Sequence, residues 1–91
     1  MKYKLKFTDD AEYDIKKLKR SEPIAYRKLI KLLAELGEHP YSGIGKVKRL
    51  KHFNEETWSR RITDKHRLVY RVFDDVVLVL VISAYGHYDD K

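Results

Sequence analysis

The run from Val76 to Ile82, VVLVLVI, constrains this chain more than any other stretch. A strand with one wet face alternates apolar and polar residues, whereas an unbroken apolar run of strand length offers water nothing on either side. The segment from Val76 to Ser83 is therefore expected to be a strand covered on both faces. Its partners lie just upstream. HRLVYRVF, from His66 to Phe73, reads as a strand joined to the apolar run by a tight hairpin turn at Asp74-Asp75. Further strands are expected from Thr57 to Thr63 and near Val47 to His52, with turns at Asp64-Lys65 and Asn54-Glu55-Glu56.

The N-terminal half supplies the cover. Tyr3, Leu5 and Phe7 share one face of an extended segment and Lys2, Lys4 and Lys6 the other. Lysines on the open face discourage pairing with a foreign strand. Thr8 is placed to cap a helix with Asp9, Asp10 and Glu12 in its first turn and Lys16, Lys17, Lys19 and Arg20 toward its end, so that both ends complement the macrodipole. Ala11, Ile15 and Leu18 form its buried stripe. Ser21 is expected to cap a second helix with Pro23 in its first turn, and Tyr26, Leu29, Ile30, Leu33 and Leu36 recur at helical spacing before Gly37 ends it. A loop, EHPYSGIG from Glu38 to Gly45, separates this half from the β-rich half. The order is β-α-α-β-β-β-β, an α+β class with two N-terminal helices packed on one mostly antiparallel sheet.

Charge gathers in the β-rich half. Between Lys46 and Arg71 lie nine Lys or Arg against three Asp or Glu, so this stretch carries the whole formal net charge of +6. A neutral body with one basic face is the electrostatic footprint of a polyanion binder. The plainer reading is that these cations solvate exposed strands. Strand parity divides them: Leu68, Tyr70 and Val72 share a face opposite Arg67, Val69 and Arg71, while Trp58, Arg60 and Ile62 lie together opposite Ser59, Arg61 and Thr63. With the apolar-rich faces inward, Trp58 is a core anchor. Arg61 and Arg67 then project outward from neighbouring strands, where two guanidinium forks can grip one phosphate. Arg60 does not suit an inward face, and is expected either to snorkel or to mark a bulge. His66 is read as part of a turn, and His39 as a surface loop residue without a role.

Without cysteine the chain forms no disulfide, thiolate zinc site or thiol nucleophile. No stretch has the length and flanks of a membrane span, so a soluble, cytoplasmic protein is expected. The Asp9-Asp10 and Asp74-Asp75 pairs read as helix-start and turn residues, with no metal assigned to them.

Together GxGK (Gly43 to Lys46), RLKH (Arg49 to His52), WSRRIT (Trp58 to Thr63), HRLVYRV (His66 to Val72) and His87-Tyr88 resemble the Txe/YoeB branch of the RelE-like toxins of bacterial toxin–antitoxin systems. The opening FTDDAEYDIKKL is similar as well, so the likeness spans nearly the whole chain and implies one RelE/YoeB-like domain over residues 1–91. The resemblance implies a RelE-like fold and a ribosome-dependent ribonuclease that cuts messenger RNA in the decoding site of bacterial ribosomes. The implied partners are a cognate antitoxin, the ribosome and its message, with no membrane, and homodimerisation is consistent with the family.

The chemistry it implies uses no metal and no cofactor. The ribose 2′-hydroxyl attacks the adjacent phosphorus and leaves a 2′,3′-cyclic phosphate and a 5′-hydroxyl, which calls for a base, an acid and a cation cluster. Carried over by motif, Arg67 stabilises the developing charge, assisted by Arg61 and Lys51. His87 protonates the leaving oxygen or shuttles protons, and Tyr88 positions or stacks on the substrate. Lys46, Lys51, His52 and Arg61 contact RNA phosphates, a structural strand-end role being the alternative for His52. Imidazole suits proton transfer because its unperturbed pKa is about 6.5.

One departure matters. Where the branch usually reads KPEPLKH, with a glutamate as base, this chain reads KVKRLKH and presents Lys48. An ordinary lysine has a pKa of about 10.4, so acting as a base near neutrality asks for a shift of roughly 3 units, about 4 kcal/mol. Two readings stand: Lys48 is the base, or Lys48 supplies charge and His87 takes the proton. The chain also continues past His87-Tyr88 with Asp89-Asp90-Lys91. Beside the ribonuclease reading stand a toxin of the ParE type, acting by protein binding without RNA chemistry, and a nucleic-acid-binding module without catalysis.

Overall fold

The computed structural model describes residues 2–51, 53 and 55–86. The apolar run lies inside a five-stranded sheet as β5 (Leu78–Ser83), flanked by β1 (Lys4–Phe7) and β4 (Arg67–Phe73). Beyond β4 come β3 (Thr57–Arg61) and then β2 (Lys48–Leu50) at the far edge. β1 runs parallel to β5, and every other pairing is antiparallel. Two helices, α1 (Asp9–Ser21) and α2 (Pro23–Leu36), follow β1 in the expected order.

Val79 and Val81 point at the helices and are fully buried, whereas Leu78 and Leu80 on the other face are half-buried. The expectation of full cover on both faces therefore fails for the second face. There β5 is shielded sideways by its register neighbours Lys4 and Lys6 in β1 and Arg71 and Phe73 in β4. Val76 leaves the strand altogether: Asp74–Val76 form a 3-10 turn closed by Val77 at φ 52°, a wider connection than the tight hairpin expected.

Thr8 caps α1 as its residue type predicts, its Oγ1 accepting from the Ala11 N–H at 3.0 Å. The same hydroxyl donates to the Ile82 carbonyl at 2.8 Å, which ties the helix start to β5. Ser21 does not cap α2. It is the last residue of α1, its hydroxyl donating back to the Lys17 carbonyl at 2.7 Å, and Glu22 takes the N-cap position without a side-chain capping bond. Pro23 does open α2, where its missing N–H leaves nothing unmade. The buried stripe of α2 is Ala25, Leu29, Leu32 and Leu36, with Tyr26 and Leu33 packed against the core and Ile30 turned out to solvent. Spacings of four, three and four residues keep the buried positions on one side, and Ile30 falls off that line. The helices and the inner sheet face enclose one apolar cluster that includes Ala11, Leu18, Leu29, Leu68, Tyr70 and Val81.

Candidate functional site

The helices cover one face of the sheet, and the basic residues line the other. Register places Lys48 opposite Ser59, Ser59 opposite Val69 and Val69 opposite Ser83, so these four form a row across β2, β3, β4 and β5. In the adjacent row Arg61 faces Arg67. The row on the other side runs from Leu50 through Thr57 and Arg71 to Leu80. Side chains opposite one another in an antiparallel pair lie on the same face with Cβ atoms about 5 Å apart, so Arg61 and Arg67 do project together as parity predicts. Ser59, Val69 and Ser83 are almost completely buried and make a floor of small side chains beneath these cations. The Ser59 and Ser83 hydroxyls have no hydrogen-bond partner among the described residues. Nothing in the sequence singled these serines out beyond Ser59 sharing the parity of Arg61.

The cations are not equivalent. Arg71 is tied by its Nε to Thr57 Oγ1 at 3.1 Å and by a terminal nitrogen to Glu55 at 2.9 Å. Arg61 reaches Asp64 at 3.4 Å, an exposed pair that holds the guanidinium only loosely. Lys46, Lys48 and Lys51 are exposed along the β2 edge. Lys46 has φ 52°, and the Gly45 carbonyl just before it accepts from the Arg61 N–H at 2.5 Å, which brings the chain at Lys46 alongside Arg61. Gly45 is required for that approach: it sits at φ +91°, and a Cβ there would lie 2.9 Å from Leu32 Cδ2 and 3.1 Å from Arg60 Cβ.

Arg60 neither snorkels nor marks a bulge. The one irregularity of register near it lies between β4 and β5, at Val69/Tyr70. Arg60 points into the helix-covered face, is fully buried, and has its whole fork satisfied. Its Nε donates to Tyr70 Oη at 3.2 Å, one terminal nitrogen to Glu35 at 2.7 Å and to the Ile44 carbonyl at 3.4 Å, and the other to the Ser42 carbonyl at 2.9 Å and to that of His39. The Tyr70 hydroxyl passes on to the Pro40 carbonyl at 2.8 Å. Arg60 is thus the internal post around which the 38–45 loop is wound, and that loop delivers Lys46 and Lys48 to the open face. The Ile44 N–H, first, and then Arg60 hold the Glu35 carboxyl below its usual range against the opposing effect of burial.

His66 lies where the turn enters β4, yet it is fully buried. Its Nε2 is 3.0 Å from Glu22 Oε2, and its Nδ1 accepts from the Gly86 N–H at 2.9 Å. Hydrogen bonding from His66 is the main reason the Glu22 carboxyl titrates below its normal range. His52, His87 and Tyr88, which the family resemblance brings into the site, lie outside the described residues. Among the described residues no group of three or more His, Cys, Asp or Glu could hold a metal ion, and no helix is long and apolar enough to cross a membrane.

Comparison with known proteins shows the family and the fold. A family model described as the YoeB-like toxin of bacterial type II toxin–antitoxin systems matches residues 7–88. Toxin YoeB of Mycobacterium bovis is 47% identical over 62 residues, covering 68% of this chain and 71% of the relative. A YoeB/ParE toxin from Agrobacterium tumefaciens superposes with a TM-score of 0.85 at 34% identity, covering 93% of this chain and 99% of that one. A YoeB chain in a heterotetrameric YoeB-YefM toxin–antitoxin complex from Staphylococcus aureus does so at 0.79 and 30%, covering 97% and 100%.

Proposed function

Given that this chain belongs to the YoeB-like toxins of bacterial type II toxin–antitoxin systems, we propose that it is a ribosome-dependent endoribonuclease that cuts messenger RNA without a metal and thereby stops translation. The observation that carries this reading is the facing pair Arg61 and Arg67, one row from Lys48, above the Ser59-Val69-Ser83 floor. A scissile phosphate set over that floor meets two guanidinium groups from neighbouring strands. Arg67 stabilises the charge that grows on the phosphorane, and Arg61 holds a second oxygen. Lys48, across β3 from Val69 on the same row, takes the proton of the 2′-hydroxyl in this reading, and RNA laid over the exposed β2 edge supplies the desolvation that an amine base requires. His87 returns a proton to the 5′ leaving oxygen, and Tyr88 orients the nucleotide. Lys46, Lys51 and His52 extend the cationic track along the RNA backbone. The S. aureus YoeB-YefM complex supports a cognate antitoxin as the protein partner.

Primer extension on ribosome-bound message is the test. Wild type is expected to give codon-positioned cuts, and Arg67→Ala to lose activity by on the order of 100-fold to 1,000-fold. Message left intact by wild type refutes the ribonuclease and returns the chain to a toxin that acts by binding alone.

A further inference from the structure

We infer that His66 is a positioning residue: seated on Glu22, its imidazole clamps Gly86 and so sets the course of the chain beyond β5, just ahead of His87. The inference rests on the ribonuclease reading and deepens it.

A fully buried imidazole must satisfy both nitrogens, and here both are used for linkage. The Gly86 N–H can only donate, so Nδ1 must accept, and the ring proton sits on Nε2, where it donates to the Glu22 carboxylate. The carbonyl of Gly86 accepts from the Arg67 N–H at 3.0 Å. Both polar backbone groups of Gly86 are therefore held by two consecutive residues, one of them the guanidinium carrier of the site. The preceding residues are anchored as well. The Ala84 N–H donates to Asp14 at 3.0 Å, and the Tyr85 ring lies 4.3 Å from the His66 ring with the Lys17 ammonium 4.2 Å from its centre. Gly86 itself has φ +69° with nothing within 4 Å of where a Cβ would be, so glycine serves backbone geometry there and not space. The clamp makes the spacing between Arg67 and Gly86 a property of the fold, and an in-line displacement is sensitive to errors of about 1 Å in the placement of its groups.

Two substitutions separate positioning from bulk. His66→Asn keeps an acceptor near the Nδ1 position, whereas His66→Gln extends its amide toward Glu22 and leaves the Gly86 N–H without an acceptor. On ribosome-bound message, His66→Gln is expected to lose on the order of 100-fold in kcat with little change in KM, and His66→Asn to stay within about 10-fold of wild type. Hydrogen exchange at the Gly86 amide, which needs no RNA, is expected to be slow in wild type and His66→Asn and fast in His66→Gln. Wild type that cuts nothing refutes the ribonuclease reading and this role with it. Active wild type with His66→Gln at wild-type kcat, or with both variants equally impaired, overturns the positioning role alone.

Discussion

Replacing Arg60 by Ala should be among the most destabilising single changes available to this protein, although Arg60 lies on a strand whose neighbour Arg61 faces the open, basic side of the sheet. The substitution takes the donor from the Glu35 carboxylate and from the carbonyls of His39, Ser42 and Ile44, which water can partly reach, and from the buried Tyr70 hydroxyl, which keeps its bond to the Pro40 carbonyl. Each buried acceptor left without its donor costs about 1–3 kcal/mol, more for a charged one. Glu35 is 27% exposed and keeps the Ile44 N–H at 2.9 Å, so water and that bond recover part of the loss. The net expectation is about 3–5 kcal/mol, the range for breaking a buried ion pair from one side. At about 4–8 °C per kcal/mol for a domain of this size, the midpoint falls by at least about 12 °C. Urea unfolding followed by the fluorescence of the sole tryptophan, Trp58, which lies edge-on to Tyr41 at 5.2 Å, reads the change. A loss below about 1 kcal/mol would show that the guanidinium is not what holds the loop, since it would sit in the range of an ordinary exposed pair. The pH dependence gives a second reading. The folded Glu35 carboxyl titrates below its unfolded value, so its contribution is fully present above about pH 4.3 and is lost as the pH falls through the folded value. The acid slope should flatten in Arg60→Ala without vanishing, because the Ile44 N–H, the largest cause of the depression, remains. An unchanged slope would contradict the assignment.

Two further expectations concern the site and the frame. If Lys48 supplies charge alone, Lys48→Arg should retain most of the cleavage that Lys48→Ala loses; equal loss in both assigns it the proton transfer, and single-turnover cleavage rates decide. Thr8→Ala removes the α1 cap and the tie to the Ile82 carbonyl, and should lower unfolding free energy by about 1 kcal/mol or more; an unchanged urea midpoint would mean that neither bond contributes.

What could be read from the sequence followed distance along the chain. Parity within β3 and β4 correctly placed Arg61 and Arg67 together, because a short turn joins the two strands and period-2 alternation survives across it. Thr8 was legible because its acceptor role is completed three residues on. Arg60 was not, since its carboxylate partner lies 25 positions back in α2, and a cation among apolar neighbours reveals no such partner. His66 looked like a turn residue for the same reason: Glu22 is 44 positions away and Gly86 is 20. Ser21 failed through a local competition. A serine ahead of Pro23 fits a cap, but the hydroxyl found the Lys17 carbonyl within its own helix. Ile30 is apolar by type, but its angular position around α2 turns it to solvent.

The parallel pairing of β1 with β5 also bears on how the chain is made. Thr8 and Ile82 bond across 74 positions, and β1 has no strand neighbour until β5 exists. Because a ribosome builds from the N-terminus, β1 must wait for β5, and such distant pairings also form slowly. The β3-β4 hairpin, which carries Arg61 and Arg67, is contiguous by comparison and is synthesised earlier. The nascent chain therefore carries Arg61 and Arg67 before it has the completed sheet to hold them, and the bonds of Gly86 to His66 and Arg67 become available only after β5.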